Sequence, residues 1–126
     1  MTPEELTKYD CMIKYEGSER NPLFLYGIEC GPGWMPLIIE LLDKVLLLNT
    51  NNNIHLFQIK EKFGNFRFYY DYVGTDKDES NRIKNEIDLY TTQINSTCEQ
   101  CGQPGTVKLI RRWYRASCES CAAKRA

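Results

Sequence analysis

Four of the six cysteines stand in two matched pairs, Cys98-Glu99-Gln100-Cys101 and Cys118-Glu119-Ser120-Cys121, with sixteen residues between them. A two-residue gap lets a tight knuckle aim two sulfurs at one point, and a spacer of this length can return as a hairpin that brings the pairs together. The spacing predicts a C-terminal zinc ribbon in which Cys98, Cys101, Cys118 and Cys121 hold one Zn²⁺ and residues 106–117 form the hairpin. Gly102 and Gly105, flanking Gln103-Pro104, supply turned backbone after the first knuckle. Four thiolates fill the zinc shell and leave no position for an activated water, so the metal is expected to be structural. Two other readings of the cysteines, a pair of disulfides or a redox Cys-x-x-Cys, need an oxidising compartment or a redox βαβ unit, and the sequence signals neither.

The chain of 126 residues is too short for two large domains, and its 42 % hydrophobic content suffices for one core with a small appended module. The division expected is an α+β core over residues 1–97 and the ribbon over residues 98–126. Sixteen basic against seventeen acidic residues give a net charge of -1, so no overall field draws the chain to nucleic acid or lipid. The charge is nevertheless uneven. Lys108, Arg111, Arg112, Arg115, Lys124 and Arg125 against Glu99 and Glu119 make the ribbon formally +4 and leave -5 for the rest. A zinc with four thiolates contributes -2, so part of this arginine content is expected to offset the metal centre. The start Met1-Thr2-Pro3-Glu4-Glu5 is acidic, unlike a signal peptide, and the apolar run of residues 35–48 is broken by Glu40, Asp43 and Lys44. The expectation is a cytoplasmic protein with no membrane span, in which Asn95-Ser96-Thr97 is a chance glycosylation match.

Thr2 as N-cap, Pro3 at the first helical position and Glu5 three residues after the cap predict a helix over residues 3–15. Residues 23–30 read as an extended segment, turned sharply by Gly31-Pro32-Gly33. A second helix starts near Trp34, and its wide apolar face makes it the centre of the core. From residue 54 the period shifts to two: Phe57 and Ile59 alternate with Gln58 and Lys60, and Phe66, Phe68, Tyr70 and Tyr72 share one face. A β-hairpin turning at residues 63–65 on Gly64-Asn65 follows. Asp76 or Asp78 caps a third helix whose stripe Ile83, Ile87, Tyr90 and Ile94 lies across that hairpin.

Three surface features are candidate binding sites. Lys60, Lys62 and Arg67, beside Tyr69, form a cationic cluster near the hairpin tip suited to an anionic small molecule or a protein; alternating charge is equally the mark of a solvated strand. Gly33 and Trp34 belong to a turn whose backbone amides suit a phosphate or carboxylate, or else the turn simply packs Trp34 on the core. Arg111, Arg112, Trp113 and Arg115, with Tyr114, offer the basic and aromatic mixture of nucleic-acid readers, or packing for a ribbon with little core. Of the cationic sets, the hairpin cluster is expected to matter more for a partner, because the ribbon arginines have the metal centre to offset. His55, the one histidine, has no recognisable nucleophile with it, and Cys11 and Cys30 fall outside the ribbon pattern.

Glu29-Cys30-Gly31-Pro32-Gly33-Trp34, the run Ile59-Lys60-Glu61-Lys62-Phe63-Gly64-Asn65-Phe66-Arg67-Phe68-Tyr69-Tyr70, and the two cysteine pairs with Gly102-Gln103-Pro104-Gly105 occur together. This combination resembles a group of short phage, prophage and bacterial proteins, with the likeness covering residues 24–121. The resemblance implies a mobile-element accessory protein in a bacterial host cytoplasm, and it carries over no catalytic residue. The expectation is a non-catalytic protein that binds a host protein, defence components included, or an anionic small ligand; nucleic-acid binding through the ribbon is the alternative.

Overall fold

The computed structural model describes residues 3–125, so the Thr2 cap lies outside the described residues. Its elements run α1 (Pro3–Leu6), a 3-10 turn (Thr7–Tyr9), α2 (Asp10–Ile13), a second 3-10 turn (Ser18–Arg20), α3 (Pro22–Tyr26), a third (Pro32–Trp34), α4 (Met35–Leu48), β1 (Ile54–Lys62), β2 (Asn65–Tyr72), α5 (Lys77–Asn95), β3 (Thr106–Ile110), β4 (Trp113–Ser117) and α6 (Glu119–Arg125). Two antiparallel hairpins, β1-β2 and β3-β4, are the only sheets among the described residues. The architecture is α+β with a C-terminal ribbon, as the cysteine spacing and the change of period predict.

The core gathers Trp34, Ile38, Leu41, Leu42 and Val45 around α4, with Ile54, Leu56 and Ile59 of β1, Phe66 of β2 and the stripe Ile83, Ile87, Tyr90 and Ile94 of α5. Asp76 caps α5 by accepting from the Glu79 amide at 3.1 Å. Glu79 is itself 2 % exposed, and its carboxylate accepts from Thr50, Asn51 and Tyr72 at 2.6, 3.0 and 2.9 Å. Buried charge is tolerated only when its lone pairs are filled, so this group clamps the α4–β1 loop and β2 to the start of α5.

Four local expectations are corrected. The first helix is not continuous to residue 15: the Thr7 hydroxyl bonds back to the Glu4 carbonyl, a competitor to the helical ladder, and the chain tightens to a 3-10 turn that buries Tyr9. The Tyr9 hydroxyl donates to Asp43 of α4 at 2.7 Å. Residues 22–26 are helical rather than extended, because Asn21 accepts from the Phe24 amide at 2.7 Å and Pro22 takes the first helical position. Only Glu29 of that segment joins the sheet, as a parallel bridge to Lys60. In β1 the register slips between Leu56 and Gln58, so Leu56 and Ile59 are the buried pair and Phe57 leaves the alternation. At the slip, the Leu56 carbonyl accepts from Tyr15 and Asn21, both at 3.2 Å. Finally, the β1-β2 hairpin turns within residues 63–65 as expected, but its positive-φ pair is Phe63-Gly64 rather than Gly64-Asn65, with φ of 55° and 81°, and Asn65 already pairs with Lys62.

Candidate metal centre

The first knuckle grows directly from the end of α5. The Cys98 amide donates to the Gln103 carbonyl at 2.7 Å, and the Gly102 amide returns to the Cys98 carbonyl at 2.9 Å. That closure needs the left-handed φ of 83° at Gly102. The second knuckle follows β4, where the Ala122 amide bonds to the Cys118 carbonyl at 3.0 Å and α6 begins. Between the knuckles the β3-β4 hairpin, paired from Thr106 with Ser117 to Ile110 with Trp113, brings them face to face.

All four sulfurs lie within 4.8 Å of one another, and Cys101 Sγ is 3.6 Å from Cys118 Sγ. A tetrahedron with zinc–sulfur bonds of about 2.3 Å has sulfurs about 3.8 Å apart, so the cluster fits the ion. Cys98 and Cys121 are buried while Cys101 is exposed. Electrostatics point the same way. Burial pushes the Cys98 thiol up, but the Cys101, Cys118 and Gln100 amides outweigh it and hold its pKa at about 6. The Cys121 amide lowers Cys118. Cys101 is raised against the pull of the Gln103 amide, and hydrogen bonding from Cys118 and Cys101 pushes Cys121 up to about 12. Two thiols ready to ionise beside two that resist are what four crowded sulfurs do without a cation; a dication admits all four as thiolates. Cys98, Cys101, Cys118 and Cys121 therefore form a tetrahedral site suited to a single structural zinc ion. The influences on these thiols are burial, one another and nearby amides, with no arginine among them.

The Gly31-Pro32-Gly33-Trp34 turn proves to be the seat of this centre. The Gly31 amide donates to the Glu99 carboxylate at 2.7 Å and the Gly33 amide to the Glu99 carbonyl at 2.7 Å. Trp34, fully buried, donates its indole N–H to the Thr97 carbonyl at 2.8 Å and meets Phe66 edge to face. The expectation that Gly33 and Trp34 contact an external ligand is thus corrected: the acceptors at the Gly31 and Gly33 amides are the side chain and the backbone carbonyl of the protein's own Glu99, 68 residues downstream of Gly31. Burial pushes the Glu99 carboxyl above its usual range, while the Gly31 amide and then Arg115 and Arg125 pull it back.

Other candidate residues sit apart. Lys60 and Arg67 are cross-strand neighbours, Lys62 lies over the Phe63 ring at 5.7 Å, and Tyr69 is exposed beside Gln58. His55 stacks on Tyr15 at 4.0 Å. Cys30 is half-buried outside the cluster, and burial, then Glu99, Glu61 and Glu29, push its thiol up, which suppresses the nucleophile. On the ribbon, by contrast, Ile110, Arg111, Trp113, Arg115 and Arg125 line an open cleft of about 580 Å³. Arg125 is no site candidate on sequence alone, where α6, which carries it, goes unpredicted. No helix among the described residues is long and apolar enough to cross a membrane. Comparison with protein-family models, curated proteins and solved structures finds no match.

Proposed function

We propose that this chain is a non-catalytic binding protein in which a zinc-held ribbon, seated on an α+β core, offers a cationic cleft to an anionic partner. The convergence of Arg111, Arg115 and Arg125 around the ribbon cleft carries this reading. Among the described residues neither Arg115 nor Arg125 has a carboxylate within salt-bridge distance; Glu99 attracts both from farther off, and an incoming anion adds to that partial compensation. Saturation of the metal by four thiolates supports a scaffold rather than a reaction centre. The resemblance to phage and prophage proteins would put this activity in a bacterial host as an accessory function.

Heparin chromatography of the zinc-loaded chain tests the reading. Arg115→Gln combined with Arg125→Gln elutes at clearly lower salt than the parent, whereas Lys60→Gln combined with Lys62→Gln elutes near it. The reverse order would move the site to the β1-β2 tip. A second reading, a host protein docking on α3, draws on Phe24, Leu25 and Tyr26, all exposed on that helix. Capture of a stoichiometric protein that survives nuclease and is lost in Tyr26→Glu would favour it.

A further inference from the structure

We infer that the ribbon cleft binds single-stranded nucleic acid, with Trp113 stacking on a base and Arg115 and Arg125 holding the flanking phosphates. The inference rests on the cationic reading of the cleft and adds the partner class. Trp113 is 67 % exposed, a large cost in apolar surface for a residue that buries well elsewhere in this chain. Register places it opposite Ile110, with Lys108 and Arg115 also opposed to one another on the same sheet face. The other face carries Val107, which approaches Gly64 at the β1-β2 tip, so the core is met by the face that lacks the tryptophan.

The arginines are positioned rather than loose. Arg125 donates to Gln100 in the first knuckle at 2.8 Å, which ties the cation to the metal-held loop. Arg115 and Arg125 also border a second hollow of about 220 Å³ with Gly31, Glu99 and Gln100, where the Glu99 carboxyl helps to hold both cations beside the cleft. At the hairpin tip Arg111 and Arg112 both hold left-handed backbone, φ 49° and 69°. Glycine or asparagine would do this at less cost, and strain of this kind clusters where side chains are used. An exposed indole among spaced guanidiniums matches the alternation of base and phosphate along an unpaired strand, whereas a duplex hides its base faces and an acidic peptide offers nothing to stack.

The test is a titration of the zinc-loaded full chain with a fluorescein-labelled oligothymidylate of about 12 nucleotides, within the usual footprint of such sites, alongside inorganic polyphosphate, a duplex and polyglutamate. Binding of the single strand should quench tryptophan emission and weaken steeply with salt. Trp113→Ala should lower single-strand affinity about tenfold and leave polyphosphate affinity unchanged, while Trp113→Phe stays within about threefold of the parent. Arg115→Gln and Arg125→Gln should weaken both ligands and flatten the salt dependence. Each variant is first checked for one zinc per chain. Equal binding of all nucleic and inorganic polyanions, with Trp113→Ala silent, would overturn the single-strand inference and leave the anionic reading standing. Preference for polyglutamate would overturn it in favour of a protein partner, and no binding of any polyanion would remove both.

Discussion

At Gly33 the lack of a side chain is what allows the zinc knuckle to close on the core. A Cβ there would run into the Cys98 carbonyl and come within 2.5 Å of the Gly102 amide and 2.7 Å of the Glu99 carbonyl, all backbone atoms that cannot swing aside. Overpacking of this kind costs about 1 to 3 kcal/mol, and here the cost falls on the hydrogen bonds from Gly33 and Gly31 that seat the ribbon. Gly33→Ala should therefore lower the unfolding free energy by that amount in denaturant unfolding and surrender zinc to a chelator faster than the parent. A variant with unchanged zinc retention and a loss under about 0.5 kcal/mol would show that the knuckle closes independently of the turn. The partner of this turn was not legible in the chain: Gly-Pro-Gly-Trp announces amides in need of an acceptor, but nothing local points to a glutamate beyond α5. Gly33 and Glu99 meet only once the cysteine loop is folded against the core.

Among the elements, the β3-β4 hairpin departs most from local preference. Its two-residue turn is Arg111-Arg112, both at positive φ, where the left-handed region costs a non-glycine residue about 1 to 2 kcal/mol. Replacing the pair with Asn-Gly should raise ribbon stability by about 1 to 2 kcal/mol in denaturant unfolding while weakening polyanion binding. A destabilised hairpin would show instead that the arginines make stabilising contacts at the tip. The same comparison explains which elements could be read in advance. The α5 helix carries a cap and an apolar stripe that agree, Asp76 with Ile83, Ile87, Tyr90 and Ile94, and the ribbon hairpin is fixed by its cysteines even though its turn contains no turn residue. The α3 helix is not legible in the sequence because Leu23-Phe24-Leu25-Tyr26 has strand-like composition and its signal, Asn21-Pro22, doubles as a loop signal. In β1 the slip at Phe57 follows from acceptors at Leu56 serving Tyr15 and Asn21, a tertiary demand with no sequence period.

For the whole molecule, the question is how far the metal supports the fold beyond the ribbon. The apolar core draws almost wholly on residues 9–94, with Ala116 its one ribbon member, so the α4, α5 and β1-β2 packing has its own source of stability. The ribbon, whose buried apolar residues among those described are Ile110 and Ala116 beside the cysteines, has little besides the metal to offset its chain entropy. Chelation should release one zinc per chain and strip hydrogen-exchange protection from β3, β4 and the Cys98 to Gly102 loop. It should leave the amides of β1, β2 and the middle of α5 protected. The join between the two parts is the informative region: the Trp34 indole loses its Thr97 acceptor and the Gly31 and Gly33 amides lose Glu99, so this turn should gain exchange with the ribbon although it belongs to the core by sequence. Added zinc should restore all of it. Uniform loss of protection throughout the chain would mean that core and ribbon fold as one cooperative unit, and persistence of protection in β3 and β4 after complete zinc removal would mean that the hairpin stands without its metal.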